Sequence, residues 1–107
     1  MTKNKPALAR LELRLRRLAR SLAHTGFITQ GSVFERKRRG GGSRYQWTWK
    51  DPEQKTVSLT LSAQQFAWLR KALARSRKVE KTLAQMRQIS RRVLLQHIPG
   101  PHRRKRL

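Results

Sequence analysis

The chain is expected to fold as an α+β domain: an N-terminal helix, a three-stranded antiparallel β-meander, a long C-terminal helix with a coiled-coil-like seam, and a basic C-terminal arm. Three observations predict it. Leu8, Leu11, Leu15, Leu18 and Leu22 recur at alternating steps of three and four, the spacing of one helical stripe. Tyr45, Trp47 and Trp49, and then Val57, Leu59 and Leu61, alternate with polar residues at the period of a strand. Ser62 followed by Gln65 has the form of a capping box and opens an unbroken helical pattern.

The first helix is expected over residues 6–24. Pro6 suits a first turn and Gly26 suits an exit. Behind its leucine stripe lie Arg10, Arg14, Arg16, Arg17 and Arg20, with Glu12 as the sole acid to offset them and Leu13 as a lone leucine on the charged side. Strands are expected over about 28–38, 44–50 and 55–61. The first has the weakest pattern, because Val33 and Phe34 are adjacent and must point opposite ways. Between the second and third, Lys50-Asp-Pro-Glu-Gln-Lys55 has the chemistry of a turn. Between the first and second lies Arg36-Lys-Arg-Arg-Gly-Gly-Gly-Ser-Arg44, in which five cations flank three glycines.

The second helix is expected over 62–96, where Ile98-Pro-Gly-Pro101 stops it. Two series at steps of seven run along it: Leu69, Ser76, Leu83 and Ser90, and Ala72, Val79, Met86 and Val93. A repeat nearer 3.5 than 3.6 calls for a left-handed partner. The first helix is the obvious one, but it is too short to cover the whole stripe, so Leu69, Val79, Leu83, Met86 and Val93 form a candidate seam for a second copy or another protein. Residues 1–100 are expected to make one small domain, with the two helices packed together and against the aromatic sheet face. Residues 101–107 are expected to be a disordered basic tail.

From Gly31 to about Leu95 the chain resembles a family of short bacterial and archaeal proteins, a domain of unknown function often encoded near transposases and other mobile-element genes. The resemblance lies in Gly31-Ser-Val-Phe-Glu-Arg-Lys-Arg-Arg39, in Tyr45-Gln-Trp-Thr-Trp49 before a short turn, and in Val57-Ser-Leu-Thr-Leu61 running into a capped, charged helix. It covers about two thirds of the length. It implies a bacterial protein working beside a mobile element or prophage. Many members carry cysteines where this chain has Gly40-Gly-Gly42, so any metal role of that loop does not carry over.

Charge narrows the function. The 107 residues hold 27 Lys and Arg against 5 Asp and Glu, a formal net charge of +22. Leu, Ile, Val and Phe number 24, enough for a small core only. Such self-repulsion favours a polyanionic partner. Nucleic acid fits, since every phosphate neutralised releases a condensed counterion. Eighteen of the cations are arginine, which pairs bidentately with phosphate and guanine better than lysine does. Candidate contacts are Arg36, Lys37, Arg38, Arg39 and Arg44 in the glycine loop, Arg14, Arg16, Arg17 and Arg20 on the first helix, and Arg103, Arg104, Lys105 and Arg106 in the arm. The loop ranks first, because glycines let a backbone approach phosphates and the end of a twisted hairpin fits a major groove.

Duplex DNA is the favoured target, on the strength of the family neighbourhood. An RNA-binding or ribosome-associated role is the alternative, and an assembly module acting through the helical seam is a second. Tyr45, Trp47 and Trp49 resemble a stacking platform for single-stranded bases, but they share a side with Val57, Leu59 and Leu61 and are expected in the core. Trp68, on the flank of the long helix, would seal the sheet edge or meet a partner.

No enzyme, cofactor, metal or small-molecule substrate is expected. His24, His97 and His102 lack ligand spacing, the five acids are scattered over four elements, and Gly40 to Gly42 lacks the Lys-Ser/Thr of a phosphate loop. With no cysteine, no apolar run of membrane length and a polar start from Met1 to Pro6, the protein is expected in the cytoplasm, without a membrane partner, and at the nucleoid if it binds DNA.

Overall fold

The structure is a computed structural model describing residues 5–101. In order it comprises α1 (Lys5–Leu22), β1 (Ser32–Lys37), β2 (Ser43–Lys50), β3 (Thr56–Leu61) and α2 (Ala63–His97). The fold is therefore α+β, with one antiparallel sheet in the order β1-β2-β3. The chain divides into two compact units. One runs from Thr25 to Lys78 and holds the sheet and the first part of α2; the other combines α1 with α2 from Val79 onward.

In the sheet unit, the register sets Val33 beside Trp47 and Leu59, and Tyr45 beside Leu61. These share one face, and that face meets α2. Leu61, Leu69 and Leu73 form the buried cluster, with Val33, Tyr45, Trp47 and Phe66 packed half-buried against it. Tyr45 stacks on Phe66 with ring centroids 4.5 Å apart, and Trp47 on Trp49 at 3.9 Å. Tyr45 and Trp47 thus pack on the core, as their alternation predicts, and Trp49 reaches it only through its stack on Trp47. The covering helix in this cluster is α2 alone, where both helices were expected. Leu69, predicted as part of an interaction seam, is 5 % exposed and lies inside this core. The first turns after the cap are the part of α2 that covers the sheet, and Leu69 falls on them. Leu59 stays 47 % exposed on edge strand β3, beside a shallow apolar cleft it lines with Trp47 and Trp68. Trp68 is half exposed, and its ring centroid lies 5.6 Å from that of Phe27.

The first strand begins four residues later than the alternation suggested. Residues 25–30 carry no regular structure, and side chains satisfy their carbonyls instead of a ladder. Arg75 Nη1 donates to the Phe27 carbonyl, Ser76 Oγ to that of Thr29, and Trp47 Nε1 to that of Gln30 at 3.0 Å. Ser76 is thereby used as a donor to this segment. Strand pairing starts only after Gly31, whose φ of 116° turns the chain into the sheet.

The start of α2 is the predicted capping box. The Gln65 amide N–H donates to Ser62 Oγ at 3.0 Å, and the Ser62 N–H donates to Gln65 Oε1 at 2.9 Å. Ser62→Ala is expected to cost about 1 kcal/mol, read as a lower denaturant midpoint at unchanged slope. An unchanged midpoint would show that the cap contributes nothing to the folded state.

In the helical unit, the stripe on α1 is as predicted. Leu11 is buried, Leu8, Leu15, Leu18 and Leu22 are half-buried, and Leu13 is 47 % exposed. The helix closes two residues early, in a turn where the Ala23 N–H donates to the Arg20 carbonyl. On α2, Val79, Leu83, Met86 and Val93 are half-buried, and Ile89 is buried at 4 %. Position 89 takes the place that steps of seven assigned to Ser90, whose hydroxyl is exposed and donates to the Met86 carbonyl of its own helix. No helix among the described residues is long and apolar enough to cross a membrane.

Candidate nucleic-acid interface

The glycine-rich loop is tighter than its sequence suggested. β1 runs to Lys37 and β2 resumes at Ser43, leaving only Arg38–Gly42 between them. Two backbone bonds close the tip: the Arg38 N–H donates to the Gly42 carbonyl at 3.0 Å, and the Gly41 N–H to the Arg38 carbonyl at 3.3 Å. Gly40, Gly41 and Gly42 have φ of 87°, 105° and 80°, a left-handed run that side-chain-bearing residues rarely adopt. Three successive glycines are what let strands carrying this much like charge reverse so tightly.

Reversal at that point brings the cations together. Arg36 and Arg44 are cross-strand partners, on the sheet face opposite Tyr45 and Trp47. Lys37 pairs with Ser43 on the other face, while Arg38 and Arg39 occupy the tip. All five are exposed, and among the described residues none has an ion-pair partner. The nearest acid in sequence, Glu35, lies on the same face as Tyr45 and accepts a hydrogen bond from Ser43 Oγ at 2.8 Å. Arg44 Nη2 lies 3.4 Å from Thr60 Oγ1, a weak contact that leaves most of its donors for a ligand. Setting Arg36 against Arg44 raises the local positive potential, which an anion relieves.

The opposite hairpin is charge-balanced, with Lys50 and Lys55 against Asp51 and Glu53. Asp51 Oδ1 accepts from the N–H groups of Glu53 and Lys55, both at 2.9 Å, and Lys55 pairs with Glu53 at 3.6 Å in full solvent. The sheet therefore has a cationic end and a self-satisfied end.

The remaining candidates belong to other parts of the chain. Arg14, Arg16, Arg17 and Arg20 are exposed on α1, in the other compact unit. Arg103, Arg104, Lys105 and Arg106 lie outside the described residues, as does the predicted arm. Of the histidines, His24 is exposed just after α1, and His97 ends α2 buried, its Nε2 without a hydrogen-bond partner. Lys50 was missed as a candidate. It stands at the far end of β2, exposed and on the same face as Arg44, and a period-two count from Arg44 would have found it.

No protein-family model, curated protein sequence or solved structure matches this chain.

Proposed function

We propose that the protein binds nucleic acid without catalysing a reaction on it, that its target is duplex DNA, and that it serves a mobile element or prophage as an accessory factor in the bacterial cytoplasm. The observation that carries the reading is the β1–β2 hairpin: five exposed cations without ion-pair partners among the described residues, held at one end of a small sheet by three left-handed glycines. A solvated loop of no function gains nothing from setting Arg36 directly across from Arg44, which costs repulsion energy. A duplex supplies phosphates on two walls, so cations on a strand pair and at its tip can be neutralised together.

The test is a salt titration of binding to matched duplex DNA, duplex RNA and single strands. Each phosphate contact should steepen the dependence of log affinity on log salt by about 0.9 for B-form DNA and about 0.7 for single strands. Duplex DNA is expected to bind tightest, with the steepest slope. Tighter binding to duplex RNA would replace DNA by RNA as the target, and a flat dependence on all three would remove nucleic acid altogether.

A further inference from the structure

The sheet has a second face, which the core does not use. α2 covers the side bearing Val33, Tyr45 and Trp47, and the alternation places Phe34, Gln46, Thr48, Ser58 and Thr60 on the other. The register lines them up across the strands: Phe34, Gln46 and Thr60 form one row, with Thr48 and Ser58 in the next. Along β2 this neutral patch lies between Arg44 and Lys50, six residues or about 20 Å apart on the same face. No Asp or Glu stands on this side of the three strands.

We propose that this open face reads base edges in the major groove of DNA, a step that rests on the duplex-binding role inferred above. β2 and one neighbouring strand, with axes about 5 Å apart, fit a groove about 12 Å wide, which admits a two-stranded ribbon. The cations at the two ends of β2 meet phosphates and fix the register, while the neutral row faces the bases. Its chemistry suits them. The Gln46 amide, held by a hydrogen bond from its Nε2 to Ser58 Oγ, is of the type that pairs with adenine in the major groove. Thr60, across from Gln46 in the same row, adds a hydroxyl of the type that meets either kind of base edge. Phe34 is 46 % exposed with no place in the core, and an apolar group projecting among polar ones matches a thymine methyl.

Affinity and discrimination then reside on different residues, and an experiment can separate them. The full chain and its F34A/Q46A/T60A variant, which keeps every charge, are each taken through selection from a pool of DNA duplexes with a randomised core. Near-ultraviolet circular dichroism of the Trp47–Trp49 stack verifies that the variant is folded. The unaltered protein is expected to enrich a short motif and to prefer it over the starting pool by roughly tenfold or more. The variant is expected to bind the starting pool within about twofold of the original, with the same salt slope, and to show no preference for the motif. Binding to the pool without enrichment, or a folded variant that still enriches the same motif, overturns base reading and leaves the duplex-binding role standing. Failure of the unaltered protein to bind the pool at low salt overturns that role itself.

Discussion

Gly31→Ala is expected to destabilise the protein by about 3 kcal/mol, through two separate effects. A Cβ at this position would lie 2.3 Å from the Thr48 carbonyl oxygen and 2.6 Å from Trp47 Nε1. The first of these is backbone in the central strand and cannot swing aside. The φ of 116° adds conformational strain for any residue with a side chain. Since the displaced groups include the Trp47 indole, which donates to the Gln30 carbonyl, the damage also reaches the segment leading into β1. The consequence in thermal unfolding is a midpoint lower by roughly 12 °C or more. Gly41→Ala is the control: its φ is 105°, but nothing lies within 4 Å of the added Cβ, so only the strain is incurred, about 1 to 2 kcal/mol. Equal midpoints for the two variants would show that the close approach at Gly31 does not constrain the folded state.

The second large effect concerns binding. Replacing Arg36, Arg38, Arg39 and Arg44 together with alanine is expected to make the salt dependence on duplex DNA shallower by about 3.6 in log–log slope, if each contacts one phosphate. At low salt the affinity should fall roughly a thousandfold. Folding should be unaffected, because all four are exposed and none holds an ion pair among the described residues. The matched comparison is a variant with alanine at Arg14, Arg16, Arg17 and Arg20, which removes the same charge from α1. If position matters, the loop variant loses more affinity and more slope. If both lose the same, total charge and not the hairpin governs binding.

Much of the fold could be read from the sequence, because the patterns that specify it are local. The capping pair Ser62 and Gln65, the alternation in β2 and β3 and the leucine stripe of α1 each involve residues within a turn or a strand of one another. What could not be read depended on distant partners. Residues 27–30 have the apolar and β-branched character of a strand, yet their carbonyls are claimed by Arg75, Ser76 and Trp47. Leu69 fits a heptad as well as its neighbours, but α2 turns that residue onto the sheet, and the sheet's place on the helix is not written in a repeat. Likewise Ile89 is buried one position before the Ser90 to which a step of seven points; it stands three residues after Met86 and four before Val93, on the stripe those two share. The five loop cations were evident as a cluster. Their division into a facing strand pair and a tip follows from the register, which the sequence leaves undetermined until the loop length is known.

β3 stands at one margin of the sheet, paired with β2 on one side only, and its sequence Thr-Val-Ser-Leu-Thr-Leu contains no charged residue. A bare margin of that kind invites a strand from a neighbouring molecule, and the usual protection is charge placed on the strand itself. Here the protection is borrowed from the cations elsewhere on the molecule, which hold neighbouring molecules apart by mutual repulsion. The charge proposed to draw this protein to a polyanion therefore also serves to hold copies of it apart. Stripping it away, by mutation or by a saturating ligand, exposes β3 to association with its own kind.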